Sequence, residues 1–422
     1  MEGAVVKGFD VLVAGAGPAG CAAAAVLAAR GLRVGLADRA AHPRFKLCGG
    51  LLTAKTMLAL ARVFGLGEAD LAARGGLFHA TPDYVFCHNG RELARGAAAE
   101  PFRFIDRPVF DALLYAQALE RGAVPLPGRE VAACDAAAGT LTFRDGETLR
   151  ARLIIGADGA NSVTRRAVAP DKGAWRADLA AAIEVELPVG RGPGLFPRSV
   201  QTPELHVGGP DVPGAGYGWV FPGPRGPKVG ICGLTRGLGA RGERPFSDIF
   251  RGYLALLGVP DPESVPLRGH PLPYGNALAR PCAGRLLLAG DAGGFVEPLF
   301  GEGIFYAIAT GAHAGTAACR ALSCGPAGPD ETDGPDWSGG GDPGITAARE
   351  YQGLLDRTVR PEFVWSNRLR WALFFGMRHL GAAPIKGFVR SAPGPLAAMV
   401  HGRRSFKLLA RKQWEWGAEL SG

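Results

Sequence analysis

The chain has 422 residues, of which 47% are hydrophobic and 20% are charged. This composition is typical of a globular protein of two or three domains and excludes a disordered or fibrous chain. The formal net charge of +8 lies in the C-terminal segment, because residues 360–422 hold eleven basic and three acidic side chains and the rest of the chain is balanced. The eight cysteines form no C-x-x-C pair, so the sequence predicts no metal site.

The first predicted elements are a strand, a glycine-rich turn, a helix and a second strand. An apolar run over Phe9–Ala14 predicts a buried strand, and the turn GAGPAG follows at residues 15–20. An alanine-rich helix comes next, and then a strand at residues 32–37 that leads to Asp38. Residues 11–29 carry no charge, but the glycines and the proline within them exclude one continuous membrane-spanning helix.

The glycines of this turn have physical roles in dinucleotide binding. Gly15 allows a tight turn, Gly17 lets the backbone approach a pyrophosphate, and Gly20 permits close packing of helix on strand. The helix N-terminus presents unpaired N–H groups to phosphates, and Asp38 stands where an acid binds a ribose hydroxyl. A turn without a ligand is the alternative, but the order of strand, turn, helix, strand and acid favours an ADP-containing cofactor, either NAD or FAD.

Later segments continue the alternation of predicted strands and helices, and then a run of predicted strands follows. Residues 107–122 predict an amphipathic helix, and residues 140–159 predict a hairpin followed by a buried strand that ends at Gly156-Ala157-Asp158-Gly159. Between residues 181 and 231, four β-like segments indicate an antiparallel sheet on a separate domain. After residue 284 the sequence again predicts a strand, a turn and a helix. A second G-x-G-x-x-G turn does not occur, so the sequence gives no sign of a dedicated NAD(P)H domain.

We therefore predict an α/β fold in which a discontinuous Rossmann-type domain carries an inserted antiparallel β-sheet domain and a C-terminal helical segment. The predicted nucleotide-binding domain comprises residues 8–75, 101–175 and 276–323, and the predicted β-rich substrate domain comprises residues 76–100 and 176–275. Residues 324–344 are rich in Gly, Pro and Asp and predict a flexible insertion. Residues 345–422 predict a basic helical segment.

Four spaced motifs resemble those of the FAD-dependent monooxygenase-like flavoproteins, the superfamily of the p-hydroxybenzoate hydroxylase type. They are GAGPAG at 15–20, KLCGG at 46–50, GADGANSVTRR at 156–166 and LLLAGDAGGFVEPLFGEGI at 286–304. Within this superfamily the chain is most similar to the geranylgeranyl reductase family, because KLCGG and YGWVFP at 217–222 match motifs of that family. The resemblance covers most of the chain except the insertion at 324–344.

The resemblance implies FAD as the cofactor. The implied cofactor contacts are Gly15, Gly17, Pro18, Ala19, Gly20, Asp38, Arg39, Cys48, Gly49, Arg107, Val131, Asp158, Gly159, Gly290, Asp291, Pro298, Gly301, Gly303 and Ile304. Asp38 stands where glutamate is commoner, so its reach to the adenosine ribose is one methylene shorter. Asp158 has a competing role as a stabiliser of its own turn. A helix N-terminus that follows Gly303 would stabilise the anionic N1–C2=O edge of reduced flavin.

The resemblance also implies where the substrate and the catalytic groups lie. Tyr217, Trp219 and Phe221 alternate along a strand, so their aromatic faces share one side, where they would line an apolar tunnel and stabilise developing positive charge. Packing in an ordinary core is the alternative for these three side chains. The implied substrate-lining residues are Gly50, Tyr217, Trp219, Phe221 and Pro222, and the implied catalytic residues are Cys48, Tyr217 and Trp219.

The role of Cys48 stays open at the level of sequence. It has no neighbouring cysteine that would form a disulfide or a metal site, and the resemblance implies a position that faces the flavin ring. A proton donor, a modulator of the flavin and a small packing residue are all compatible with that position. Glu297, Glu302 and Tyr306 are alternative proton relays.

The resemblance implies an enzyme that reduces carbon–carbon double bonds of a geranylgeranyl-type prenyl chain. The hydride would come from N5 of reduced flavin and the proton from the protein. The alternatives are an FAD-dependent aromatic hydroxylase, a redox-neutral FAD-dependent cyclase or isomerase, and a non-catalytic electron-transfer flavoprotein at a membrane.

The expected partners follow from this chemistry and from the charge of the C-terminal segment. We expect a prenyl lipid or prenyl diphosphate as substrate, NADPH or reduced ferredoxin as external reductant, and no nucleic acid. The basic residues and four tryptophans of the C-terminal segment suit the surface of an anionic membrane, and a solvated helical tail is the alternative. We expect a cytoplasmic protein that is peripheral on the inner face of the membrane.

Overall fold

A computed structural model describes residues 8–177, 179–213, 215–234, 244–322, 342–380, 383–391 and 393–407. Its strands are β1 (Phe9–Ala14), β2 (Val34–Asp38), β3 (Leu51–Leu52), β4 (Leu77–His88), β5 (Arg91–Ile105), β6 (Val124–Pro127), β7 (Val131–Asp135), β8 (Thr140–Phe143), β9 (Thr148–Gly156), β10 (Ala180–Glu186), β11 (Glu204–His206), β12 (Gly216–Phe221), β13 (Lys228–Leu234), β14 (Gly269–Leu272), β15 (Cys282–Ala283) and β16 (Leu286–Leu288). Its helices are α1 (Pro18–Ala28), α2 (Ala54–Phe64), α3 (Glu68–Ala73), α4 (Arg107–Glu120), α5 (Lys172–Ala177), α6 (Phe246–Leu256), α7 (Ile304–Leu322), α8 (Pro343–Thr358), α9 (Arg360–Leu380), α10 (Ala383–Ser391) and α11 (Pro393–Val400). Short 3-10 turns lie at Thr164–Ala167, Pro262–Ser264 and Gly290–Gly293.

The first sheet has the parallel arrangement predicted for a nucleotide-binding fold. Its strands lie in the order β15-β16-β9-β1-β2-β6, and those from β16 to β6 pair in parallel. The turn at Asp145-Gly146 joins β8 to β9 in antiparallel pairing, and β7 pairs with β8 along its other edge. The carboxyl ends of β1, β2, β9 and β16 meet at one edge, where open parallel sheets bind ligands.

Glycines let α1 and α7 pack directly against each other. A Cβ on Gly311 would overlap the carbonyl oxygen of Ala19, and a Cβ on Gly315 would lie 3.0 Å from the carbonyl oxygen of Ala23. Alanines fill most of α1 and are buried. This contact fixes the N-terminus of α7 relative to the N-terminus of α1, so that Pro18 and Ile304 open onto the same cavity.

The second sheet is the antiparallel β domain that the sequence predicts. Its strands lie in the order β14-β10-β13-β12-β11-β4-β5-β3, and only the β11–β4 pair of the described residues is parallel. The sheet continues past the boundary placed at residue 100, because β5 runs to Ile105 and pairs with β3 at Leu51–Leu52. The α/β fold with an added antiparallel sheet is confirmed, whereas the domain limits stay a prediction.

The described residues of the C-terminal segment are mainly helical as far as Val400, and residues 401–407 form turns and bends. Residues 324–341 of the predicted flexible insertion lie outside the described residues. After it, α8 begins at Pro343, where the Asp342 side chain accepts a hydrogen bond from the Gly344 N–H at 2.8 Å. Residues 408–422 also lie outside the described part. Among the described helices, none combines the length and hydropathy needed to cross a bilayer.

Candidate functional site

A cavity of about 940 Å³ lies between the carboxyl edge of the first sheet and an aromatic face of the second sheet. Its size is at the upper end of the range for ligand pockets, about 300–1,000 Å³. Of the residues predicted for the site, Gly20, Pro222 and Pro298 do not line this cavity, and all the others do. The fold therefore brings residues between positions 15 and 304 into one continuous space.

The glycine-rich turn forms one end of the cavity. Gly15 follows β1 with φ at +100°, and a Cβ there would overlap the Ala157 carbonyl oxygen. Gly20 lies behind the turn, where a Cβ would overlap the Gly15 carbonyl oxygen, so its role is packing rather than contact with a ligand. Gly17 is the N-cap of α1 and lines the cavity. A bare backbone and a helix N-terminus thus face the space, as a pyrophosphate requires.

Asp38 stands at the end of β2 beside this turn. Its Oδ2 accepts a hydrogen bond from the Ala16 N–H at 2.8 Å, and its Oδ1 accepts one from the Ala40 N–H at 2.9 Å. These bonds fix the carboxylate at the edge of the cavity, where Arg39 and Val131 are further lining residues. The site of the carboxylate fits the ribose of an ADP-containing cofactor.

Arg44 is a residue of this end that the sequence analysis missed. Its Nε lies 3.6 Å from Asp38 Oδ2, and its Nη1 lies 3.5 Å from Asp111 Oδ2. Its Nη2 would lie 3.4 Å from a Cβ on Gly17, so the guanidinium stands over the N-terminus of α1. The Nε is buried without a hydrogen-bond acceptor. An unsatisfied buried donor beside a phosphate-binding turn fits a pyrophosphate, which bonds arginine well.

Asp158 follows β9 at the edge of the cavity, and its own turn uses both of its carboxylate oxygens. Oδ1 accepts hydrogen bonds from the hydroxyls of Ser162 at 2.6 Å and Thr164 at 2.7 Å. Oδ2 accepts hydrogen bonds from the N–H groups of Val163 at 2.7 Å and Thr164 at 3.0 Å. These four bonds favour the turn-stabilising role, and Gly159 next to it offers only backbone to the cavity.

The N-terminus of α7 closes the middle of the cavity. Gly301, Gly303 and Ile304 line it together with Asp291 of the preceding 3-10 turn. The helix is 19 residues long and nearly all of its side chains are buried. Its first N–H groups and the positive end of its dipole therefore point at the ligand space, where they would stabilise negative charge.

Cys48 lies on the loop that joins the two halves of the cavity. The Gly50 N–H donates to its Sγ at 3.4 Å. Arg107 is buried nearby and holds Asp111 through two bonds, from Nε at 2.8 Å and from Nη2 at 2.9 Å. Burial opposes the charge of Arg107, but Asp111 and Cys48 outweigh it and raise the pKa of the guanidinium. The thiol therefore has an N–H donor and a permanent cation beside it.

Lys46 and His270 form a second polar pair on this loop. Lys46 Nζ lies 3.2 Å from His270 Nε2, and His270 Nδ1 lies 2.6 Å from the Pro271 carbonyl oxygen. The carbonyl requires Nδ1–H as donor, so Nε2 accepts from the ammonium and the ring is neutral. Burial lowers the pKa of both groups. Both side chains line the cavity, and the Lys46 ammonium adds positive charge to it.

A buried carboxylate, Glu184 of β10, links the Cys48 loop to the aromatic strand. Its Oε1 accepts a hydrogen bond from the Cys48 N–H at 3.1 Å, and its Oε2 accepts one from Trp219 Nε1 at 3.0 Å. Burial raises its pKa, and neighbouring Lys228 works against that shift. The sequence analysis missed Glu184, although an acid inside the apolar strand segment AAIEVEL is the kind of signal that marks a buried polar role.

Tyr217, Trp219 and Phe221 form the aromatic wall on β12. The Trp219 indole lies over Gly230 of β13, where a Cβ would overlap the ring. A Cβ on Gly49 would come within 2.9 Å of the Phe221 ring, so the loop rests directly on this wall. Tyr217 donates its hydroxyl hydrogen bond to the Phe300 carbonyl oxygen, and burial raises its pKa well above the usual value. Tyr217 therefore presents its ring to the cavity while its hydroxyl is committed to the backbone.

The far arm of the cavity is apolar and is closed by the C-terminal segment. Tyr84, Phe86 and Phe102 come from β4 and β5, and Leu396, Ala397 and Val400 come from α11. Most of these side chains belong to the same apolar cluster as Trp219 and Phe221. The sequence signal for the burial of α11 is its apolar run PLAAMV. The arm is therefore suited to a hydrocarbon chain rather than to a polar ligand.

The alternative proton relays have other partners. Glu302 lines the cavity, but its Oε2 pairs with Lys55 Nζ at 2.5 Å and its Oε1 accepts from the Thr53 hydroxyl at 2.7 Å. Glu297 is buried behind the wall and accepts from the N–H groups of residues 299 and 300. Tyr306 is buried in α7 and does not line the cavity. Glu302 and Glu297 are therefore engaged by other donors, and Tyr306 lies away from the cavity, whereas Cys48 lines it.

Comparisons with known proteins agree with this geometry. Residues 8–185 match the family described as an FAD binding domain. The chain is 31% identical to the geranylgeranyl diphosphate reductase of Rhodobacter capsulatus over 75% of this chain and 76% of that protein. It is also 31% identical to the menaquinone reductase of Mycobacterium tuberculosis over 72% of this chain and 74% of that protein.

A solved structure supports the fold. The geranylgeranyl bacteriochlorophyll reductase-like protein of Thermoplasma acidophilum superposes with a TM-score of 0.71 and 20% sequence identity. The superposition covers 95% of this chain and 93% of that one. At this identity the likeness establishes the arrangement of the two sheets and the C-terminal helices, and the glycine turn and FAD domain match establish the cofactor.

Proposed function

Because the chain belongs to the geranylgeranyl reductase family of FAD-dependent oxidoreductases, we propose that it reduces carbon–carbon double bonds of a geranylgeranyl-type prenyl chain. One observation carries the proposal: a single cavity joins a dinucleotide-binding end to an arm of aromatic and aliphatic side chains, with Cys48 between them. An aromatic hydroxylase would need polar groups to orient its ring substrate, and the lining of this arm offers few.

The described residues fit FAD. The turn at residues 15–17 and Arg44 would hold the pyrophosphate, Asp38 the adenosine ribose, and the N-terminus of α7 the ring. The unsatisfied Arg44 Nε supports this fit. When bound and reduced, FAD supplies a hydride.

The aromatic wall would orient the prenyl double bond. An isolated alkene is a poor hydride acceptor, so its reduction is assisted by a proton at one carbon. The faces of Tyr217, Trp219 and Phe221 would stabilise the positive charge that develops, by about 0.5–2 kcal/mol for each ring. The apolar arm and α11 would exclude water, which would otherwise compete as a base and a nucleophile.

We assign the proton to Cys48 Sγ. The Gly50 N–H and the Arg107 guanidinium would stabilise the charge that remains when the thiol gives up its proton. Glu184 would hold the loop in place through the Cys48 N–H, and bulk solvent would return the proton between turnovers. One hydride and one proton add two hydrogens to each double bond.

The proposed setting is the inner face of a membrane, reached from the cytoplasm. A prenyl diphosphate would approach from solution, and a prenyl lipid would approach from the bilayer. The proposed external reductant is NADPH or reduced ferredoxin.

The test is an anaerobic incubation of dithionite-reduced protein with geranylgeranyl diphosphate and with geranylgeranyl lipids, read by mass spectrometry. We expect a gain of two hydrogens for each reduced double bond and reoxidation of the flavin. A product with an unchanged hydrogen count would instead identify a cyclase or isomerase. Product that forms only with oxygen would identify a hydroxylase, and reoxidation by a protein partner without product would identify an electron carrier.

A further inference from the structure

Helix α9 carries an exposed apolar face. Val364 is 48% exposed, Trp371 is 45% exposed and Phe375 is 68% exposed. Spacings of seven and four residues place these three side chains on one side of a helix. Arg368 is exposed and lies on the same side of the helix, four residues after Val364 and three residues before Trp371. We call these four residues the α9 face.

The opposite side of α9 packs against the apolar cluster that supplies the substrate arm. Trp365, Leu369 and Leu373 pack on the apolar cluster that contains Trp219 and Leu396. The α9 face is therefore the outer surface of a helix whose inner surface packs on the apolar cluster behind the cavity. The inner side of α9 is buried in the core. The large apolar side chains on its outer side are exposed, so packing in that core does not explain them.

Basic side chains outnumber acidic ones around the α9 face. Residues 360–400 contain six Lys or Arg side chains and a single acid, Glu362. Of the six, Arg370 is buried and Arg360 pairs with Asp356 of α8. Glu362 is 5% exposed and accepts hydrogen bonds from the Ser405 hydroxyl and from the Phe406 N–H at 2.8 Å, so it points inward. The Arg368 guanidinium lies 4.8 Å from the centre of the Trp365 ring, which holds a cation among apolar side chains. The outer surface of α9 thus combines aromatic groups with positive charge.

We propose that the α9 face docks the protein on the surface of an anionic lipid bilayer. This inference rests on the proposed function, since a prenyl lipid has to be drawn from a bilayer into the arm behind α9. Tryptophan and phenylalanine enter the interface between headgroups and acyl chains, and arginine binds the lipid phosphates. A second copy of the chain is a poorer occupant, because its α9 face would bring positive charge against positive charge.

The experiment uses the full chain with bound FAD and two kinds of vesicle, phosphatidylcholine alone and phosphatidylcholine mixed with phosphatidylglycerol. Co-sedimentation is measured for the parent, for Trp371→Ser combined with Phe375→Ser, and for Arg368→Gln. Ile345→Ser is the matched control, because Ile345 is 63% exposed on α8, outside the α9 face. All substituted side chains are exposed, so we expect the variants to fold.

The parent and the control are expected to bind the anionic vesicles more tightly than neutral ones, and added salt should weaken that binding. The double variant should lose at least about tenfold in partitioning, because two interfacial anchors are gone. Arg368→Gln should reduce the preference for phosphatidylglycerol. Turnover of detergent-solubilised geranylgeranyl diphosphate should be the same in the double variant and the parent.

Equal vesicle binding by the double variant and the parent would overturn the proposal. The proposal would also be overturned if binding of the parent to vesicles changed neither with the phosphatidylglycerol content nor with the salt concentration. A parent that is dimeric by light scattering, does not bind vesicles and becomes monomeric on double substitution would show that a second copy covers the face. If vesicle binding follows the expected pattern but the parent does not reduce the soluble diphosphate, the docking surface stands and the proposed function fails.

Discussion

Replacement of Glu184 by glutamine tests whether one buried carboxylate places both the Cys48 loop and the Trp219 ring. The carboxylate accepts from two donors, the Cys48 N–H at 3.1 Å and Trp219 Nε1 at 3.0 Å. A glutamine has one carbonyl oxygen and one NH2 group, so one of the two donors would face another donor. Glu184→Gln therefore removes one of the bonds while it keeps the volume of the side chain.

The magnitude follows from the kind of bond that is lost. A hydrogen bond to a charged group contributes about 1.5–3 kcal/mol. If that energy holds the loop and the ring in register, its loss lowers kcat/KM by roughly 10- to 150-fold. The cost to global stability is smaller. Burial raises the folded-state pKa of Glu184, so ionisation is less favourable in the folded protein than in the unfolded chain, and an uncharged amide removes that cost.

The pH profile separates a positioning role from general damage. The raised pKa means that the native carboxylate takes up a proton at a higher pH than the unfolded chain does, and a protonated carboxyl becomes a donor on one oxygen. Parent turnover should therefore fall as pH drops through that pKa. The glutamine variant should lack this acid limb and remain at the lower rate throughout.

The assay is single-turnover reoxidation of reduced flavin by geranylgeranyl diphosphate, followed from acid to neutral pH beside a thermal melt. Glu186→Gln is the control, since Glu186 lies two residues along the same strand and pairs with Arg225 at the surface. Parent-like turnover in Glu184→Gln, or an acid limb that persists in that variant, would refute the positioning argument. A large drop in melting temperature would point to a structural role instead.

Four further outcomes are expected. Cys48→Ser should keep FAD and its reduction by dithionite but lose at least about tenfold in single-turnover rate, as expected for general acid catalysis; an unchanged rate would leave Cys48 a packing residue. Arg44→Met should raise the Kd of FAD roughly tenfold or more in titrations of apoprotein, whereas Arg62→Met on the exposed side of α2 should not. Ala397→Phe should fill the apolar arm and lower kcat/KM for a geranylgeranyl chain more than for a geranyl chain. Burial lowers the pKa of His313 to about 4, so stability should fall by about 3 kcal/mol as pH drops from 6.5 toward 4, and the melting temperature of His313→Gln should depend less on pH.

Local patterns were sufficient for the elements that begin each half of the site. The strand, turn and helix around Gly15 are predicted by apolar periodicity and by the backbone freedom of glycine, both of which act within a few residues. The same holds for the aromatic alternation at Tyr217, Trp219 and Phe221, because strand period two fixes which side chains share a face. In each case the arrangement could be predicted from the sequence, because the residues that act together are close in the chain.

The residues that the sequence analysis missed depend on contacts between distant segments. Glu184 meets the Cys48 N–H across 136 positions of the chain, and no local pattern states that pairing. Ala397 reaches the arm because α11 packs on β5, an element formed nearly 300 residues earlier. Arg44 stands in a segment without periodicity, so its place over the α1 N-terminus follows only from the fold.

Two close backbone approaches and one side-chain bond together set the position of the Cys48 thiol. Gly50 has φ at +75°, and a Cβ there would come within 2.6 Å of the Ile105 carbonyl oxygen. Gly49 lies against the Phe221 ring, and the Cys48 N–H is held by Glu184. The loop is therefore fixed by β5, β12 and β10 of the second sheet, whereas Arg107 beside it begins α4, which packs on α1 of the nucleotide-binding half. Any movement of one sheet relative to the other would displace the thiol from the cation that stabilises its charge, so the joint between the two sheets is itself part of the proposed chemistry.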